Sequence, residues 1–173
     1  LDQLYVLVSD QSELVVLPDI IDRLRSGAFT DGRRPDVVSL SFAECMPAWS
    51  DQAVHDTEQA LQELAEAGTW FFKAAGDSGP SDCSHHPLCD PSLAGPDMGY
   101  PAASSWVTAV GGTEVPGASP ADPNGQPAVW NDHLIDPSVC AAGAGGLSEF
   151  PTPSYQQALP GELLLSSRGL PDV

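Results

Sequence analysis

The residues best suited to chemistry lie in the run Ala74-Ala75-Gly76-Asp77-Ser78-Gly79. A carboxyl group and a hydroxyl sit side by side between two glycines. Glycine lets a backbone turn sharply and leaves room for a ligand to approach. Asp77 can act as a proton donor, a base or a helix N-cap, and Ser78 as a nucleophile. A second group is Cys83, His85, His86 and Cys89, four residues of metal-binding type within a seven-residue span. They could hold zinc. However, Cys-x-His-His-x-x-Cys departs from common zinc spacings, and Cys45 and Cys140 make the cysteines an even set of four. With few lysines and many prolines and glycines around them, disulfides in an oxidising compartment are the favoured reading.

These residues need a scaffold. Residues 36–42 and 69–75 are β-branched or aromatic runs, read as strands. Each ends at a candidate site: Ser39-Leu40-Ser41-Phe42-Ala43 for the first, Ala75-Gly76-Asp77-Ser78 for the second. Residues 4–8 and 105–110 read as two further strands. Residues 14–24 predict a helix in which Pro18 is tolerable only near the first turn. Ser50 predicts the cap of a second helix over residues 51–67. Val54, Thr57, Leu61 and Leu64 form its buried stripe, with His55 and Glu58 elsewhere and Gly68 as its stop. A short helical turn is expected around residues 155–158. Strands alternating with helices imply an α/β fold with a parallel sheet and right-handed crossovers. In such sheets ligands gather at the carboxyl ends of the strands.

The chain has 173 residues, with 24 Asp plus Glu against 6 Lys plus Arg, a net charge of −18. That surface repels phosphate, which argues against nucleic acid as a partner. It suits either a soluble secreted protein or one used in acid, where protonation relieves self-repulsion. No apolar run reaches the ~18 residues of a membrane span. The opening at Leu1 and the close at Val173 both read as cuts from a longer protein.

These strand ends, in this order, resemble the subtilisin-like fold, and specifically the sedolisin (S53) family of serine-carboxyl peptidases. Asp36-Val37-Val38-Ser39-Leu40-Ser41 is similar to the family's strand that pairs with bound peptide. Ala75-Gly76-Asp77-Ser78-Gly79 is similar to its oxyanion turn. The run from Tyr100-Pro101-Ala102-Ala103-Ser104-Ser105 through Trp106-Val107-Thr108-Ala109-Val110-Gly111-Gly112-Thr113 resembles a family signature. Val129-Trp130-Asn131, Gly145-Gly146-Leu147-Ser148, Pro153-Ser154-Tyr155-Gln156 and Arg168-Gly169-Leu170-Pro171-Asp172 continue the likeness.

The resemblance implies a subtilisin-like α/β fold with helices on both faces of a parallel sheet. Residues 1–173 would be the central part of one catalytic domain, with its flanking parts absent. It implies acid-acting hydrolysis of peptide bonds by a Ser-Glu-Asp mechanism, with Asp77 as the protonated donor of the oxyanion hole. Ser39, Leu40, Ser41, Phe42, Ala43, Ala75, Gly76 and Ser78 would contact substrate, although Ala43 stands where the family usually has glycine. The serine, following Gly-Thr-Ser, and the Glu-Asp pair would lie outside this chain, which alone should be inactive. Calcium would belong to the parent enzyme, with no metal ligand in this chain. Partners would be the remaining segments of the domain, on the same or on separate chains, together with a propeptide and a peptide or protein substrate. The implied disulfides are Cys45–Cys83 and, by default, Cys89–Cys140, in a secreted protein. Two alternatives stand beside this reading. One is a non-catalytic peptide-binding or structural domain of the same fold. The other is a chymotrypsin-like enzyme with Ser78 as nucleophile, which the α/β pattern disfavours.

Overall fold

The computed structural model describes residues 3–28, 32–42, 44–81, 98–114, 128–139, 141–158 and 165–173. Its centre is a three-stranded parallel sheet in the order β1-β3-β5. The strands are β1 (Val37–Leu40), β3 (Trp70–Ala74) and β5 (Val107–Val110). Val38 lies opposite Phe71, which lies opposite Val107, so one register crosses the sheet. The side chains of Leu40, Phe71 and Val107 point to one face and are buried there.

Helices α1 (Glu13–Ser26) and α2 (Asp51–Glu66) cover that face. Leu17, Ile20, Ile21 and Leu24 recur at helical spacing on α1 and join Leu61 and Leu64 of α2 in one cluster with the strands. Pro18 lies in the second turn of α1, deeper than its sequence suggests. It forfeits one backbone hydrogen bond, and the buried stripe on both sides of it holds the helix together. Gly27 ends α1 at φ 69, and its Cβ position would lie 2.7 Å from the Gly32 carbonyl carbon. Only glycine fits there. Ser50 caps α2 as expected, its hydroxyl accepting from the Ala53 N–H at 3.2 Å.

The opposite face of the sheet carries Val37, Trp70 and Val110, all exposed, with Trp70 at 66%. Among the described residues, both long helices therefore lie on one face. On the other face, where helices were also expected, no helix lies among the described residues.

One expected strand is absent. Residues 4–8 form exposed chain, with Val8 at 90%. Their composition favours a strand, but strand N–H and C=O groups need a bordering partner, and no described strand borders them.

The rest of the molecule is built from two-residue strands. β2 (Glu44–Cys45) pairs antiparallel with β4 (Gly99–Tyr100). β6 (Thr113–Glu114) pairs with β7 (Ala128–Val129). β8 (Gly146–Leu147) pairs with β9 (Gly169–Leu170). A short helix, α3 (Ser154–Gln157), falls close to its expected place. A second cluster joins Ala75, Ala103, Ala109, Ala144 and Leu170 near the carboxyl ends of the strands. Small side chains there let several backbones approach closely. The C-terminal residues lie along β5, with the Gly111 N–H donating to Val173 at 2.7 Å and Asp172 to Ala109 at 2.9 Å.

Candidate active site at the carboxyl ends of the strands

β1 and β3 deliver their sequence-predicted residues to the same edge. Leu40 lies opposite Lys73, so Ser41-Phe42 and Ala75-Gly76-Asp77 leave the sheet side by side. Ala75 is buried and donates its N–H to Val110 at 2.8 Å. Gly76 has φ 129, a conformation that side-chain-bearing residues rarely adopt. The chain reverses there and carries Asp77 and Ser78 to the surface, both exposed.

The turn is strapped in place. Gly76 and Asp77 accept backbone hydrogen bonds from Ala144 at 3.0 Å and Ala142 at 2.8 Å, and Gly79 donates back to Ala142 at 3.0 Å. The strap is itself anchored, with the Gly143 N–H donating to Trp130 at 2.9 Å and Asp132 to Ala141 at 2.9 Å. The turn is thus tied to the 100–113 run through Val110 and, by way of residues 141–144, to Trp130 of the 129–131 run. A carboxyl group on a backbone fixed this way is suited to donating or accepting a proton at one position.

The other candidates divide by burial. Ser39 and Ser41 are exposed, Phe42 packs partly on the main cluster, and the Leu40 side chain is buried within it. Among the described residues β1 pairs with β3 alone, so its outer edge has no described neighbour. Ala43 lies outside the described residues, as do Cys83, His85, His86, Cys89 and Cys140. Cys45 is disulfide-bonded, with a partner outside the described residues.

Two groups escaped the sequence reading. The first is Glu58, assigned there to the outer face of α2. It is half-buried and accepts a hydrogen bond from the Tyr100 hydroxyl at 2.9 Å. Burial raises its pKa above the ordinary 4.5, outweighing hydrogen bonds with Ser104 and Tyr100 and the charge of Arg168. Burial and the neighbouring Glu58 carboxylate push the Tyr100 phenol up as well. The spacing Val54, Glu58, Leu61 is i, i+4, i+7, so the helical stripe already contained Glu58. His55, on the same helix, is exposed as expected.

The second group surrounds Arg168, which is 0% exposed. Its guanidinium bonds both Asp172 oxygens, at 3.1 and 2.7 Å, as well as the Val107 carbonyl at 2.8 Å and the Tyr155 hydroxyl. The Ala109 N–H donates to Asp172 at 2.7 Å. Burial alone would raise the Asp172 pKa, but hydrogen bonds from Arg168, Tyr155 and Ala109 and the Arg168 charge bring it below 3.8. This pair clamps the C-terminal residues to β5, the neighbour of the strand that carries Asp77. Charge spacing i, i+4 in Arg168 and Asp172 was a visible signal, although helix formation was not its cause.

The described geometry is that of an α/β protein, a parallel sheet with an Asp-bearing turn at its strand ends. Comparison with known proteins narrows the class. No family model matches the chain. Kumamolisin of Bacillus sp. (strain MN-32) is 32% identical over 147 residues, covering 81% of this chain and 24% of that protein. The tripeptidyl-peptidase sed5 of Aspergillus fumigatus is 30% identical over 157 residues, covering 82% of this chain and 25% of that protein. Among solved structures, Pseudomonas sedolisin, a serine-carboxyl proteinase complexed with two molecules of pseudo-iodotyrostatin, aligns with a TM-score of 0.73 and 26% identity. That match covers 94% of this chain and 42% of the other. The chain belongs to the sedolisin family of serine-carboxyl peptidases. It spans about a quarter of the length of the curated relatives it matches.

Proposed function

We propose that this chain forms the central part of the catalytic domain of an acid-acting serine-carboxyl peptidase, and that Asp77 supplies the donor of its oxyanion hole. One observation carries the reading. Asp77 follows a glycine of φ 129 at the carboxyl end of β3, on a turn held by Ala142 and Ala144, beside the end of β1. In the proposed reaction, a serine hydroxyl attacks the scissile carbonyl carbon while a glutamate takes its proton, and an aspartate orients that glutamate. The Asp77 carboxyl donates its hydrogen to the oxyanion as it forms. The glutamate then protonates the departing amine, and water cleaves the acyl-enzyme by the reverse proton path. A carboxyl group can donate only in its protonated form, which ties the reaction to acid.

No Gly-Thr-Ser occurs in the sequence, so the nucleophile, its glutamate and its aspartate are assigned to other segments of the domain. Those segments are the first partners, followed by a propeptide and a peptide or protein substrate. Ser39 to Ala43 would pair with an extended peptide by strand addition, close to Ala75, Gly76 and Ser78. Calcium would serve the parent enzyme. The described residues hold no group of three or more His, Cys, Asp or Glu suited to a metal, so no step passes through it here. A disulfide at Cys45 supports an oxidising, extracellular location, with Cys83 as the proposed partner and Cys89–Cys140 as the second bridge. No described helix is long and apolar enough to cross a membrane.

The test compares the complete enzyme with this 173-residue chain on a denatured protein substrate at acid and neutral pH. Cleavage by the complete enzyme in acid alone is expected, with none by the isolated chain. Absence of cleavage by the complete enzyme at any pH favours a non-catalytic peptide-binding domain instead.

A further inference from the structure

A cavity of about 660 Å³ opens between the first turns of α2, the 3-10 turn Met46–Ala48 and residues 149–150. Trp49, Phe150, Met46 and Val54 give it an apolar wall, and Asp51, Glu58 and Glu149 place three carboxyl groups around it. The wall is firm. Trp49 meets Tyr100 edge to face with ring centroids 5.2 Å apart, and Phe150 stacks on Tyr100 at 6.1 Å. No Lys or Arg is among the described residues that line it. His55 also lines it, four residues after Asp51 on the helix.

The cavity lies near the end of the peptide-pairing segment: Met46, four residues after Phe42, lines it, and Phe42 packs on the same cluster as Trp49, Tyr100 and Phe150. A peptide extended along that segment advances about 3.3 Å per residue, so a side chain a few residues from its start can enter the cavity. Trp49 is 7% exposed, and its buried indole N–H has no hydrogen-bond partner among the described residues.

Resting on the peptidase reading above, we infer that this cavity is a specificity subsite for a basic side chain of the substrate, with arginine the best fit. An arginine lays its aliphatic stem and guanidinium plane against aromatic walls. Its five donors can reach several carboxyl oxygens at once, and it keeps its charge at every working pH. A purely apolar side chain would desolvate the carboxyl groups without pairing them.

The test uses the complete enzyme and a peptide series in which arginine is moved one position at a time and compared with citrulline, its neutral isostere. At one position arginine is expected to exceed citrulline about tenfold in kcat/KM. In an enzyme carrying both Asp51→Asn and Glu149→Gln, two exposed positions, that ratio should fall to within about twofold of one. Each ratio is taken on one enzyme, so a change in fold or turnover cancels. A ratio near one at every position, or one that survives in the double variant, overturns the inference while leaving the peptidase reading intact. Failure to cleave any peptide of the series overturns the peptidase reading and this subsite with it.

Discussion

Asp77 and Glu58 are both carboxyl groups beside the proposed cleft, and their surroundings separate their roles. Asp77 stands exposed on a strapped turn, whereas Glu58 is held between α2 and Tyr100. The raised pKa of Glu58 carries a stability consequence. Folding favours its protonated form, so this contribution is fully present below the ordinary value of 4.5 and is lost as pH rises through the higher folded value. Replacing Glu58 with Gln should therefore narrow the stability difference between acid and neutral pH. Urea midpoints of the two proteins across that range check it, and an unchanged difference would remove Glu58 as a source of acid stability. Asp172 has the opposite sign, because its pKa is depressed. Its contribution is present above the ordinary 3.8 and fades as pH falls through the lower folded value. Arg168→Ala leaves Asp172 buried without its partner and should cost about 3–5 kcal/mol. Urea unfolding at neutral pH measures this, and a loss under about 1 kcal/mol would show the pair to be dispensable.

Among the elements, those governed by short-range chemistry were legible before the structure. Ser50 and Gly68 bracket α2 as read, with Gly68 at φ 95, a conformation side-chain-bearing residues rarely adopt. The end of β3 was legible for the same reason, since the Ala75-Gly76-Asp77 turn needs its glycine. Gly76→Ala should cost about 1–3 kcal/mol through backbone strain, and Leu61→Ala, at a fully buried position, about 2–5 kcal/mol. Both follow from thermal unfolding, and a neutral Gly76→Ala would mean the turn relaxes. Less legible were features that depend on partners distant in sequence. Residues 4–8 have strand composition but no described neighbour to pair with. Glu58 looked like a solvated helix residue until Tyr100, 42 positions later, covered it. The strap of Ala141 to Ala144 across the Asp77 turn has no local signature, because its role is carried entirely by backbone groups.

For the whole molecule, one face of the described sheet is exposed, and the chain shares about a quarter of its relatives' length. At neutral pH its net charge is −18, and protonation in acid lowers the self-repulsion of the compact state. The fold class was readable from the order of strands and helices, while the sides on which the helices pack were not, since both faces of a parallel sheet carry apolar residues. What joins these scales is the claim that Asp77 donates a hydrogen to the forming oxyanion. The most direct test is the pH profile of kcat for peptide hydrolysis by the complete enzyme with Asp77 replaced by Ala and by Asn. Loss of a single oxyanion donor lowers turnover by about 100- to 1000-fold in comparable hydrolases, and Asp77→Ala should do the same. Asp77→Asn, which keeps a donor that needs no protonation, should retain more turnover and carry it towards neutral pH. Wild-type kcat in Asp77→Ala would contradict the account.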